Sequence, residues 1–105
     1  MAKLKEIVHE LDGAINHRFR FGIVSVLLQS EWVDFNVLKT TLGLTDGNLA
    51  SHLKGLEKIE YVVVKKQFIG RKPNTSYRLT ERGRQALARH VQALSLLVGE
   101  NKRKL

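Results

Sequence analysis

The chain has 105 residues, 43% of them apolar, with 18 Lys and Arg against 10 Asp and Glu and no cysteine. That length fits one small domain with a modest core and leaves no room for a separate catalytic one. Without thiols, disulfides, thiolate metal sites and cysteine redox sensing are excluded. No apolar run approaches the ~20 residues that cross a bilayer, and the N-terminal residues lack the apolar segment of a signal peptide. A cytoplasmic protein is expected. The net charge of +8 calls for a polyanionic partner. Residues 1–60 carry seven cations and eight acids, whereas residues 61–105 carry eleven and two. The positive excess therefore belongs to the C-terminal half.

Leu4, Ile7, Val8 and Leu11 recur at helical spacing, and Asp12-Gly13 reads as a stop. A second helix is expected over about Asn16–Leu28, with Phe19, Phe21, Ile23, Val24, Leu27 and Leu28 mostly inward. Trp32-Val33 leaves room only for a very short strand, and Asp34 reads as the N-cap of a third helix carrying Phe35, Leu38 and Leu42. Gly43 suits the positive φ that ends that helix, and Thr45 can cap the next. From Asp46 to Ile59, Leu49, Leu53, Leu56 and Ile59 form one stripe between small or polar residues. Tyr61–Ile69 is strand-like, Pro73 marks a hairpin tip within the turn 70–74, and Ser76–Leu79 returns as the second strand. Thr80 then caps a long last helix. The order is α-α-β-α-α-β-β-α, mainly helical with a small β-hairpin, and two of the helices meet through a glycine turn as a helix-turn-helix.

The helix 46–59 carries short donors and acceptors on its outward face, which lets a helix approach the floor of a major groove. Asn48, Ser51 and His52 are candidates for base edges, Lys54 for a phosphate, and Thr45 with the helix N-terminus for another. Asp46 either favours the helix dipole or accepts from a cytosine amine. In the hairpin over 65–78, Arg71 and Lys72 sit on a turn, with Lys65, Lys66 and Arg78 on the flanking strands. Such cations release counterions from a phosphate backbone or enter a narrow minor groove. His9, His17, His52 and His90 fall on four predicted helices without a metal-ligand spacing. No nucleophile-base cluster and no phosphate-binding glycine loop stands out, so neither an enzyme nor a cofactor is expected.

The run Asn48-Leu49-Ala50-Ser51-His52-Leu53-Lys54-x-Leu56-Glu57 is followed by Tyr61-Val62. Further on stand Gly70-Arg71-x-Pro73-x-Thr75-x-Tyr77-x-Leu79-Thr80 and Gly83-Arg84-x-Ala86-Leu87. Together these resemble the small stand-alone winged helix-turn-helix transcriptional regulators of the MarR/ArsR-like class. Arg20-Phe21-x-Ile23 is similar to that family's second helix. The resemblance spans nearly the whole chain and implies a homodimer, with one helix in the major groove and the wing on flanking backbone or minor groove. Two departures stand out. Glu60 occupies the place of a usual glycine, and the ArsR-type cysteine metal site is missing.

Leu87, Val91, Leu94 and Val98 repeat at four, three and four residues, a seam of about two heptads. Paired with Leu4, Ile7, Val8 and Leu11, it predicts a dimer interface built from residues 1–14 and 81–100, with 101–105 a basic tail. The expected partners are double-stranded DNA and a second copy of the chain, in a sequence-specific regulator. The alternatives are a winged helix used as a protein-interaction module and a non-specific, chromatin-like nucleic-acid binder. Neither an operator nor an effector is legible.

Overall fold

The computed structural model describes residues 2–102. Its elements are α1 (Ala2–His9), α2 (Arg18–Leu28), β1 (Val33–Asp34), α3 (Phe35–Leu42), α4 (Asp46–Lys58), β2 (Val62–Ile69), β3 (Lys72–Leu79) and α5 (Glu81–Lys102). This is the expected order, a mainly helical winged helix with a hairpin wing. The last part of the expected tail, 103–105, lies outside the described residues.

Several boundaries moved, each for a local reason. The first helix stops at His9, before Asp12, because Glu10 and Leu11 donate to Ile7 and Val8 in tighter i−3 bonds. Asp12 instead starts a turn, its Oδ1 accepting from the amides of Ala14 and Ile15 at 2.9 and 3.0 Å. That turn drives Ile15 into the core, where it is fully buried. The second helix starts at Arg18, with His17 as its N-cap. Asp34 occupies the N-cap position of α3, but its carboxylate caps nothing and accepts instead from Ser76 Oγ at 2.8 Å. Thr45 caps α4 as expected, accepting from the Asn48 amide at 3.2 Å.

The exit from α4 explains the unusual Glu60. Its φ is 65°, the left-handed conformation for which glycine is favoured. Tyr61 N–H donates to Leu56 C=O and Glu60 N–H to Glu57 C=O, both at 2.9 Å. These are the paired 6→1 and 5→2 bonds of a Schellman termination, made here with a side chain at the left-handed position.

The sheet runs β1-β3-β2, antiparallel throughout. The third strand begins at Lys72, four residues before the expected Ser76, so Pro73 lies within the strand. The actual tip is the pair Gly70-Arg71, closed by Ile69 opposite Lys72. Gly70 has φ 66°, the positive value a two-residue hairpin requires at its first turn position. Phe68 opposite Pro73 then falls on the pair that exchanges no ladder bonds, so the missing proline N–H costs β2 nothing.

Ile15, Ile23, Leu27, Leu38, Leu49, Leu53, Leu56 and Val62 are fully buried and join α2, α3, α4 and the sheet in one core. A polar network closes its far side. Tyr61 Oη donates to Asp12 Oδ2 at 2.5 Å, and the Asp12 amide donates to Nδ1 of the buried His90 at 2.9 Å. Thr80 Oγ1 donates to the Glu60 carbonyl at 2.7 Å and accepts from the Gly83 amide at 2.9 Å. A Cβ on Gly83 would stand 2.3 Å from the Tyr61 carbonyl oxygen.

Gly83→Ala should therefore destabilise the fold by about 2 kcal/mol, because backbone, not a flexible side chain, must yield. Glu60→Gly should stabilise it by about 0.5–1 kcal/mol, since left-handed strain is removed at some cost in unfolded-chain entropy. Urea denaturation of both variants decides the two signs. Burial pushes the His90 imidazole below its ordinary value of 6.5, and Asp12 counters this only in part. The unfolded chain thus takes up protons first, so this stability is complete above pH ~6.5 and is lost as pH falls through the folded value. The denaturation midpoint should drop between pH 7.5 and 5, and His90→Gln should flatten that dependence.

Candidate nucleic-acid interface

Helix α4 places its leucines inward and leaves Thr45, Asp46, Asn48, Ser51 and Lys54 exposed on the other side. Short side chains make this a shallow polar face. Asp46 is engaged by Lys39 Nζ at 2.9 Å, an exposed pair of small energetic weight that turns the carboxylate toward α3.

His52 is not a free surface residue. It is half-buried, and its Nδ1 accepts from Arg20 Nε at 3.1 Å. Its ring lies 4.6 Å from that of His17 and 6.0 Å from that of Phe19. Burial first, then the charges of His17 and Arg20, hold its imidazole below the usual range. Two of the histidines thus sit together, although they lie 35 residues apart in the sequence. In the sequence, only the family resemblance marks Arg20. A Cβ on Gly55 would come within 2.5 Å of an Arg20 guanidinium nitrogen, so the glycine is what lets Arg20 lie against α4. A glycine inside a recognition-type helix, three positions after a histidine, was the available signal.

The wing carries Lys65, Lys66, Arg71, Lys72 and Arg78 and no acid between residues 62 and 79. Strand alternation puts Lys65, Lys72 and Arg78 on one face and Lys66 on the other. On the first face, Lys65 Nζ lies 4.2 Å and Arg78 Cζ 4.9 Å from the centre of the Trp32 ring. Trp32, expected in the short strand, lies just before β1. Arg71 and Lys72 stand exposed at the tip, beside Phe68 and Ile69, which are 73% and 61% exposed.

The expected seam divides on inspection. Leu87 is only 4% exposed and belongs to the core with Ala86, because the first turns of α5 still lie over α2 and β3. Farther along, Val91 and Val98 are 45% and 62% exposed, with Leu94 half-buried. On α1, Leu4 and Val8 are exposed and Ile7 half-buried, Leu11 is half-buried just beyond its end, and the helix packs on α5 of its own chain. An apolar groove bounded by Phe21, Leu28, Leu87 and Val91 separates α2 from α5. Among the described residues, no three His, Asp or Glu side chains are placed to hold a metal, and no helix is long and apolar enough to cross a membrane.

Comparison with known proteins agrees with this geometry. The family model for a winged helix DNA-binding domain matches residues 19–98. An uncharacterised protein of Methanocaldococcus jannaschii is 40% identical over 76 residues, covering 72% of this chain and 83% of that protein. A transcriptional regulator homologue from Pyrococcus horikoshii OT3 superposes with a TM-score of 0.84 at 29% identity, over 97% of this chain and 99% of that one. A MarR-like transcription regulator from Bacillus cereus shares the fold, with a TM-score of 0.69 at 22% identity over 95% of this chain and 77% of the other. The chain belongs to the winged helix DNA-binding domain family, with the fold of MarR-like transcriptional regulators.

Proposed function

We propose that the protein is a homodimeric, sequence-specific regulator acting through one winged-helix unit over residues 1–105. In this reading α4 enters the major groove and the wing lies on flanking backbone or minor groove. The observation that carries it is the pairing of a shallow polar face on α4 with an acid-free wing bearing five cations. Asn48 and Ser51 reach base edges, with His52 beside them. Thr45, the α4 N-terminus and Lys54 hold phosphates, as do Lys65, Lys66, Arg71, Lys72 and Arg78.

The dimer rests on the exposed apolar residues of the two terminal helices, Leu4 and Val8 on α1 and Val91 and Val98 on α5, with Leu94 between the latter two. Ile7 and Leu11 border the same seam. A two-fold pairing there would bury them and set two recognition helices about 34 Å apart on a palindromic site.

If each protomer neutralises about three phosphates, log K should fall against log[salt] with a slope of roughly −5 for the dimer. Binding isotherms across a salt series check this, and a flat response would sink the DNA reading. Ser51→Ala should cost roughly 1–3 kcal/mol on the selected site and less on random duplex, whereas Arg71→Ala should weaken both alike. Equal losses for both variants on both duplexes would favour the non-specific reading.

Val98→Glu combined with Val91→Glu should leave a folded monomer, because both positions are exposed within the chain. Its affinity for a palindromic duplex should fall by roughly 10²-fold or more, since the half-sites no longer bind as one unit. Sedimentation alongside circular dichroism tests the seam. A monomeric wild type would refute it.

A further inference from the structure

The hydrogen bonds around His17 and His52 determine which nitrogen of each ring carries the proton. His17 Nδ1 accepts from the Phe19 amide at 3.2 Å, and His52 Nδ1 accepts from Arg20 Nε at 3.1 Å. A backbone amide and an arginine Nε have only a proton to offer. Each neutral ring must then hold its own proton on Nε2. His17 is exposed, and no buried side-chain nitrogen or oxygen among the described residues lacks a partner. His52 Nε2 has no hydrogen-bond partner among the described residues and is therefore not fully buried. The two rings are 4.6 Å apart, at the flank where the start of α2 meets α4.

We infer that His17 and His52 form a paired donor site for hydrogen-bond acceptors on DNA, with Arg20 and Gly55 as the residues that position it. The inference rests on the DNA-binding reading above. The site offers two Nε2–H donors and no lone pair, so it takes a phosphate oxygen or a base-edge acceptor, of which the adjacent N7 and O6 of guanine match both donors. It rejects the amines of cytosine and adenine. Metal ligation through Nε2 would need each proton to move to Nδ1, against the donors at Phe19 and Arg20. Gly55 acts through Arg20, since any side chain there displaces the guanidinium that holds the His52 ring.

The test has an arm on the free protein and an arm on DNA. Long-range proton–nitrogen correlation spectra at pH 7.5 should show both imidazoles protonated at Nε2. Gly55→Ala and Arg20→Met should remove that preference at His52 while leaving it at His17. A wild-type His52 protonated at Nδ1 overturns the site without any DNA.

On the selected duplex, His17→Ala and His52→Ala should each lose about tenfold in affinity. If the acceptor is a base edge, 7-deazaguanine at one position should weaken the wild type and leave the matching histidine variant unchanged. If it is the backbone, a methylphosphonate at one phosphate should do so instead. Either result supports the site and names its source. Unchanged affinity in both histidine variants overturns it while leaving DNA binding intact. A wild type that binds no duplex overturns the DNA reading, and this site with it.

Discussion

Tyr61 is bonded at each of its polar atoms, and the bonds lead to three different elements. Its amide donates to the last turn of α4, its carbonyl accepts from the Thr80 amide at the start of α5, and its hydroxyl holds Asp12 in the turn after α1. The residue itself leads directly into β2. An aromatic ring buried at the edge of the core is thus also the knot of the backbone. Helix α4, the wing and the last helix take their mutual orientation from this one position. Gly83 is the counterpart, for only an absent side chain lets α5 press against the same carbonyl. The first turn of α5 is capped by Thr80, whose hydroxyl also reaches back to Glu60, so the α4 exit and the α5 entry form one joint.

Much of the architecture was legible because its signals are local. The leucine stripe of α4, the Gly43-Thr45 turn and the β-branched start of β2 each carry their own periodicity or conformational demand. The errors arose where a distant partner outbid the local preference. Asp34 reads as a cap, yet Ser76 from β3 takes its carboxylate. Pro73 reads as a tip, but the hairpin register places it where a missing N–H goes unnoticed. Leu87 fits a heptad with Val91 and Val98, yet lies at the level of the core while they lie beyond it. The same limit applies to the interface. The exposed polar face of α4 follows from its spacing, but the meeting of His17, Arg20 and His52 depends on how α2 crosses α4. No one-dimensional pattern encodes that crossing.

The histidines follow one chemical logic in two settings. At His17, His52 and His90 alike, Nδ1 accepts from a group that can only donate, which selects the same tautomer of each neutral ring. In the interior this satisfies a buried polar group at the Asp12 turn. At the surface it gives a flat ring a defined outward donor. A neutral imidazole fixed this way presents an oriented dipole, while the net positive charge of the chain lies in its C-terminal half.

Trp32 is the chain's single tryptophan, and it lies under two of the wing's cations. The ring face holds Lys65 and Arg78 by attraction to its quadrupole, an interaction that competes with any anion drawing them outward. A polyanion on the wing would therefore change the charge seen by the only indole in the protein. Its emission becomes an intrinsic optical reporter of wing occupancy, with no label to perturb the contact it reports.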